Sequence, residues 1–422
     1  MANNDFDKAS QRAIKGWITR RANQAKKKAQ KKAEKEIDKK IDKGINAVAK
    51  KSKKSVWFNV FVSILAFIVG VVMSTVGYCI INKPQNDVYV KGKLSFHFLE
   101  LGNEYTGDST YINAGGVDIL IDAGSKEDSA VTIGNYLDQH VIDGKLEFVI
   151  ATHAHEDHLA AFYDTSSNGG GIFSRFEVET IIDFPNTSKT NFSSSTVIGK
   201  YYNARDAEVA QGAKHYTALE CYKNQNGAQR IYNLTDNIQM EILYNYYYDH
   251  SAGDEENDYS VCVMFHHGDD KHFLLTGDLE KHGEEHLVEY YDKHHGGLPK
   301  CELYKGGHHG SPTSSQDILL NQIQPEIVCV CCCASHTQYT DTEANTFPSQ
   351  EFINRVAKHT PYVYVTTIDP DLEPLYGKLN GNIVVTSSKK PTTVECSNNN
   401  TLLKDSAWFK ARRTPPAQWK VS

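Results

Sequence analysis

Hydrophobic and polar positions alternate in two different ways along the chain. Residues 56–81 run without a charge from Val56 through Trp57 and Phe67 to Ile81. That is long enough to cross a bilayer, which takes ~20 apolar residues. Trp57 and Tyr78 stand near its ends, as interfacial aromatics do. A buried core helix of this length would carry polar residues, and a signal peptide would have a shorter charged leader. The pattern predicts one transmembrane helix over residues 56–82. From about Val88 the pattern shortens to strands, turns and helices. Residues 94–101 and 116–124 read as strands, the second ending in a turn. Ile133, Leu137 and Val141 share one side of a helix over 130–140. Residues 146–151 form a buried strand, and further strands are expected at 260–266, 272–276, 326–333, 362–367 and 382–386. Helices are expected at 279–291 and 349–358. Stretches rich in serine and asparagine at 165–171, 187–195 and 396–400 read as loops. The whole suggests a layered α/β domain.

Charge divides the chain differently. Residues 1–55 hold 18 Lys and Arg against 6 Asp and Glu, which leaves 27 basic against 46 acidic residues in the remainder. Ile37, Ile41, Ile45 and Val48 recur at helical spacing among the lysines, so this segment reads either as a solvated tail or as an amphipathic helix on anionic lipid. Positive residues stay cytoplasmic, which places the N-terminus inside and residues after 82 outside, in a single-pass cell-membrane protein. The nine cysteines form no regular framework. Four of them crowd into Cys329, Cys331, Cys332 and Cys333, where alternate side chains point to opposite faces of a strand. They read as buried small residues, since the turn spacing of a zinc site is absent.

The chemistry concentrates in Thr152-His153-Ala154-His155-Glu156-Asp157-His158, directly after a buried strand. Three imidazoles and a carboxylate within six positions form an N/O ligand set for zinc, manganese or iron. His153 and His155 can grip one ion while Asp157 and His158 grip a second. Two further pieces belong with them. Residues 273–278 are an apolar strand ending in Thr276-Gly277-Asp278, and residues 305–311 place His308 and His309 in a glycine-rich turn.

These motifs resemble the metallo-β-lactamase superfamily and, within it, the hydrolase domain of ComEC-type competence proteins. The elements that match are Phe98–Gly102 with Gly107-Asp108-Ser109, Ile119–Gly124, Thr152–His158, Leu274–Asp278 and Gly307–Ser311, over roughly residues 90–390. The resemblance implies a four-layer αββα sandwich with a dinuclear site at one edge. It implies His153, His155, Asp157, His158 and the bridging Asp278 as ligands of two divalent ions, Zn2+ or Mn2+. His308 is the favoured last ligand, with His309 beside the leaving group and Asp157, Asp278 and His309 in catalytic roles. Where the wider superfamily has a third histidine, this chain offers Asn257 or Asp258, with His250 as the spare candidate. An oxygen ligand there would make the site harder, which favours manganese. Asp122 is either a turn residue or a buttress of the histidine loop.

The implied activity is hydrolysis of a phosphodiester, DNA included, by a metal-bridging hydroxide. Envelope phosphodiesters such as choline-bearing wall polymers form a second substrate class, and a membrane-tethered binding protein without turnover is the alternative to an enzyme. The expected organisation is a basic segment (1–55), a transmembrane helix (56–82), a hydrolase domain (88–390) and a C-terminal extension (391–422).

Overall fold

A computed structural model describes residues 92–388 and 391–420, which belong to one compact unit, Tyr89–Ser422. Six strands open the first sheet: β1 (Leu94–Phe98), β2 (Thr110–Ala114), β3 (Val117–Ile121), β4 (Lys145–Ala151), β5 (Glu177–Asp183) and β6 (Lys214–Thr217). Seven build the second: β7 (Ile231–Asn233), β8 (Ile238–Ile242), β9 (Val263–His267), β10 (Lys271–Leu275), β11 (Leu303–Lys305), β12 (Ile327–Ala334) and β13 (Tyr362–Ile368). The chain then returns to the first sheet through β14 (Ile383–Ser387) and β15 (Thr393–Cys396). The strand orders are 15-14-1-2-3-4-5-6 and 13-12-11-10-9-8-7. Each sheet is antiparallel at one end and parallel at the other, with β3–β6 and β10–β13 running parallel.

The two sheets face each other. Phe96 of β1 packs against Phe265 of β9 and Phe273 of β10, with ring centroids 5.3 and 4.9 Å apart. Along the second sheet the side chains alternate between two cores. Phe265, Phe273, Leu303, Cys329 and Cys331 join the core shared with the first sheet, while Met264, Leu274, Tyr304, Val330 and Cys332 join a second core. That alternation is the period of two of a strand buried on both faces. Helices α1 (Ser129–His140), α2 (Glu156–Leu159), α3 (Ile172–Arg175) and α4 (Val197–Ala210) add their apolar residues to the first core. After α5 (Ala218–Lys223), helices α6 (Lys281–His295), α7 (Asp317–Ile323) and α8 (Gln350–Val356) cover the second sheet, and α10 (Ala407–Arg412) joins them beyond the short α9 (Glu373–Tyr376). The resulting two-sheet α/β architecture is consistent with a metallo-β-lactamase sandwich.

The membrane part of the expected fold needs correction. Among the described residues no helix is long and apolar enough to cross a membrane. The longest, α6, has 15 residues and buries one face of Leu287, Val288 and Tyr291, leaving charged residues on the other. Apolar residues here are divided among short strands and one-sided helices that bury against sheets. The expected span at 56–82 and the basic segment before it lie outside the described residues. The single-pass, outward-facing localisation rested on that span and is withdrawn with it.

Candidate metal centre

Four strand ends converge on one edge of the sandwich. β3 leads into Asp122, β4 into the histidine turn, β10 into Asp278 and β11 into the 306–311 turn. Ligand sites in open α/β sheets commonly lie at the carboxyl ends of strands. The turn after β4 is held from below. Asp122 Oδ1 accepts the Thr152 amide and Oδ2 accepts the Thr152 hydroxyl, each at 2.8 Å. Asp122 Oδ2 also meets His158 Nδ1 at 2.7 Å. Gly124 lies so close beneath the turn that a Cβ there would sit 2.5 Å from the Asp157 carbonyl carbon. Glycine is required by that contact.

Above this support the ligand atoms draw together. His158 Nε2 and His309 Nε2 each lie 3.0 Å from Asp278 Oδ2, and His309 Nε2 is 3.3 Å from Asp157 Oδ2. Both ring orientations are fixed from behind, since His309 Nδ1 donates to the Cys331 carbonyl at 2.9 Å while His158 Nδ1 faces Asp122. A histidine anchored through Nδ1 presents Nε2 to a metal in the usual carboxylate- or carbonyl-backed arrangement. Tyr339, from the loop after β12, donates its hydroxyl to Asp157 Oδ2 at 2.5 Å. On the other side His153 Nε2 and His155 Nδ1 are 3.1 Å apart. Two nitrogens at that separation can share one ion at metal–nitrogen distances of ~2.0–2.1 Å.

Electrostatics agree with a cation at this point. Burial works to lower the His158 pKa, but Asp278 and Asp122 raise it well above the ordinary histidine value. Burial likewise opposes protonation of His309, yet Asp278 and Asp108 raise its pKa to about 10. Burial raises the Asp278 pKa, but the charges of His158 and His309 outweigh it and hold the carboxyl well below its usual range. Carboxylates that favour a proton at Nε2 favour a divalent ion there equally. His153, by contrast, is kept neutral by burial first and by its neighbours His158 and His155 next. A neutral imidazole is the ligating form.

Asp108 and Lys305 complete the centre, and neither was expected as a site residue. Asp108, His158, Asp278 and His309 form a cluster with potential ligand atoms all within 4.8 Å of one another. Asp108, however, approaches the backs of the rings, at 3.9 Å from His158 Nδ1 and 3.7 Å from His309 Nδ1. Its Oδ2 pairs with the Lys305 ammonium at 2.6 Å. Lys305 Nζ also donates to the Gly277 carbonyl at 3.2 Å and stands 3.7 Å from Asp278 Oδ1. We therefore read Asp108 and Lys305 as supports behind the ligands. In the sequence, Asp108 is visible only inside the Gly107-Asp108-Ser109 match and Lys305 only as the residue that opens the 305–311 stretch.

The two adjacent histidines exchange the places given to them from sequence. His309 is fully buried and turned into the cluster, whereas His308 is turned outward to Glu280 Oε1 at 3.0 Å and Thr313 Oγ1 at 3.2 Å. Both residues have positive φ, 42° and 54°, so the turn swings their side chains to opposite sides. Sequence alone cannot choose between neighbours in such a turn. Of the three candidates for the missing ligand, His250 is remote in character. It is exposed, stacks on Tyr246 at 3.8 Å and bonds the Tyr246 carbonyl. Asp258 Oδ1 accepts the Glu280 amide at 3.0 Å. Asn257 donates its Nδ2 to Glu280, leaving Oδ1 buried without a hydrogen-bond partner among the described residues.

Unpartnered atoms test whether these residues fit a metal. Asp278 Oδ1 and Asn257 Oδ1 are buried without hydrogen-bond partners, and His309 Nε2 approaches Asp278 without the alignment of a hydrogen bond. Buried polar atoms seldom go unpartnered. Imidazole and carboxylate atoms left in this state at one point fit a divalent cation.

Fold and site together define a two-sheet α/β protein with a buried histidine–carboxylate centre at its strand ends. No family model matches the chain. The competence protein ComA of Neisseria gonorrhoeae is 37% identical over 86 residues, which are 20% of this chain and only 11% of that protein's length. Among solved structures, the metallo-β-lactamase fold protein YhfI of Bacillus subtilis matches 65% of this chain and 86% of its own at 12% identity, with a TM-score of 0.32. An isothiocyanate hydrolase from Delia radicum gut bacteria covers 65% of this chain and 84% of its own, at 14% identity and a TM-score of 0.31. CmlA, a diiron β-hydroxylase from Streptomyces venezuelae, covers 64% and 44% at 11% identity and a TM-score of 0.29. The ComA match is confined to a fifth of the chain, so the ComEC-type reading stays with the motifs that suggested it.

Proposed function

We propose that this chain is a metal-dependent hydrolase acting on phosphodiesters. The observation that carries the reading is the convergence of His158 Nε2, His309 Nε2, Asp278 Oδ2 and Asp157 Oδ2 within 3.0–3.3 Å contacts at a buried point. Those four residues would hold one cation. His153 and His155, with Asn257 Oδ1 as the oxygen ligand and Asp278 shared, would hold a second. When bound, such ions supply Lewis acidity and positive charge where these atoms meet.

The chain's own residues do the rest. Asp122, the Cys331 carbonyl and the Asp108–Lys305 pair hold the two rings in a fixed orientation, so no reorganisation is needed during reaction. Tyr339 donates to Asp157 Oδ2, the same oxygen that faces His309, and so fixes the orientation of that carboxylate. We assign proton donation to a leaving oxygen to His308, partly exposed and backed by Glu280, because His309 would spend Nδ1 on the Cys331 carbonyl and Nε2 on the cation.

The test is hydrolysis of bis(p-nitrophenyl) phosphate by protein loaded with Mn2+ or Zn2+, beside oligonucleotide and choline phosphodiester substrates. Asp157→Ala is expected to lower kcat/KM by about 100-fold or more and to reduce bound metal, while His308→Gln lowers kcat with metal content retained. Wild-type protein that takes up no metal, or an Asp157→Ala variant of undiminished activity, would rule the reading out.

A further inference from the structure

Beside the histidine turn lies a groove of about 410 Å³, a volume typical of small-ligand sites. One wall is Ala154, between His153 and His155. The other comes from the 188–196 loop, with Ser188, Lys189, Thr190 and Asn191, and from the start of α4. No carboxylate is among the lining residues, in a chain whose residues 56–422 carry 46 acidic side chains against 27 basic.

The wall is tied to the metal turn by one buried carboxylate. Glu256, 2% exposed, accepts the Ala154 amide through Oε1 at 2.9 Å. Its Oε2 accepts the Thr187 hydroxyl, the Ser188 amide and the Ser188 hydroxyl, each at 2.7 Å. Four hydrogen bonds therefore set the position of the loop relative to His153 and His155. None of the four comes from the next residue, Lys189, which makes no direct pair with this carboxylate. Lys189 is partly exposed and forms no ion pair among the described residues. Donors continue along the groove. Thr196 accepts the amides of Gly199 and Lys200, so the amides of Val197 and Ile198 have no intrahelical acceptor.

We propose that this groove is an anion subsite, in which Lys189 binds a second phosphate of the substrate beside the one at the metal centre. The meaning of the subsite rests on the phosphodiesterase reading, but its affinity for phosphate does not. An ammonium with no ion pair among the described residues, in a groove that also takes in the free amides at the start of α4, selects for anions. A substrate carrying a single phosphate would leave it unused, whereas a nucleic acid or another polyphosphodiester would fill it.

The experiment uses the full chain stripped of metal, titrated calorimetrically with thymidine 3′,5′-bisphosphate and with thymidine. Wild-type protein is expected to bind the bisphosphate well above thymidine. Lys189→Gln should weaken that binding by about fivefold or more, with Lys189→Arg within about twofold of wild type. Circular dichroism melting of both variants separates loss of binding from loss of fold. Equal affinity of wild type and a folded Lys189→Gln variant overturns the proposal, as does bisphosphate binding no tighter than that of thymidine. If the Lys189-dependent binding is found but metal-loaded wild type does not hydrolyse bis(p-nitrophenyl) phosphate, the phosphodiesterase reading falls and the anion groove stands.

Discussion

Asp122 sits at φ 59°, a left-handed conformation that few residues other than glycine adopt readily, and it makes three contacts there. Strain of this kind persists where the surroundings over-determine it, often at functional sites. Here it lets one carboxylate hold both the start of the histidine turn and the back of His158. Asp122→Ala is expected to lower metal affinity by ~10–100-fold, the usual effect of removing a partner behind a ligand. Equilibrium dialysis against a metal indicator measures this directly, and unchanged affinity would reduce Asp122 to a turn residue. The motif residues themselves were legible because His, Asp and Gly at these spacings have few other uses. Asp108, Lys305 and Tyr339 were not. Their significance depends on residues 27 to 201 positions away, as when Tyr339 donates to Asp157 across 182.

At the level of elements, buried strands were the easiest to read, because β12 and the second half of β4 are continuous apolar runs. The cysteine-rich run proved to be such a strand. Its four thiols are free and buried, with Cys329 and Cys331 in one core and Cys332 in the other. The short, half-polar strands β2, β6, β7 and β15 and the helix α4 went unread. α4 has no clear apolar stripe, with exposed or half-buried polar residues on most of its turns, and it is placed by Ile198 and Tyr201 against the first core. The C-terminal α10 is another element defined by packing. Trp408 is fully buried, donates Nε1 to Ser335 at 2.8 Å and lies beneath the Arg413 guanidinium. Trp408→Ala should therefore destabilise the fold by about 3–5 kcal/mol, read as a lowered urea midpoint. A midpoint within error of wild type would mean that α10 is not part of the cooperative unit.

Across the whole molecule, stability should depend on pH through groups buried far from the centre. His97 of β1 is buried between Ser95 Oγ at 2.9 Å and Tyr136 Oη at 2.7 Å. Burial first, then the charges of His140 and Lys93, hold its pKa well below 6.5. The unfolded chain therefore takes up this proton before the folded one. The contribution is complete above pH 6.5 and is lost as pH falls toward the folded value. Denaturation midpoints between pH 7 and 5 should fall less steeply in His97→Gln than in wild type, by up to about one proton in slope. Parallel slopes would show that His97 is already charged in the fold. The same long-range logic separates what sequence and tertiary structure each decide. The amino-acid sequence by itself determined the histidine turn, the carboxylate at the end of β10, the apolar strands and the layered α/β class, because these are local: residue types, spacing and periodicity within a few positions. Only the tertiary structure decided which of His308 and His309 faces the cluster, that Asp108 and Lys305 stand behind it, and that a groove with Lys189 opens beside it. Those are matters of where distant strand ends meet and which way a strained turn sends its side chains, and no short window of sequence contains them.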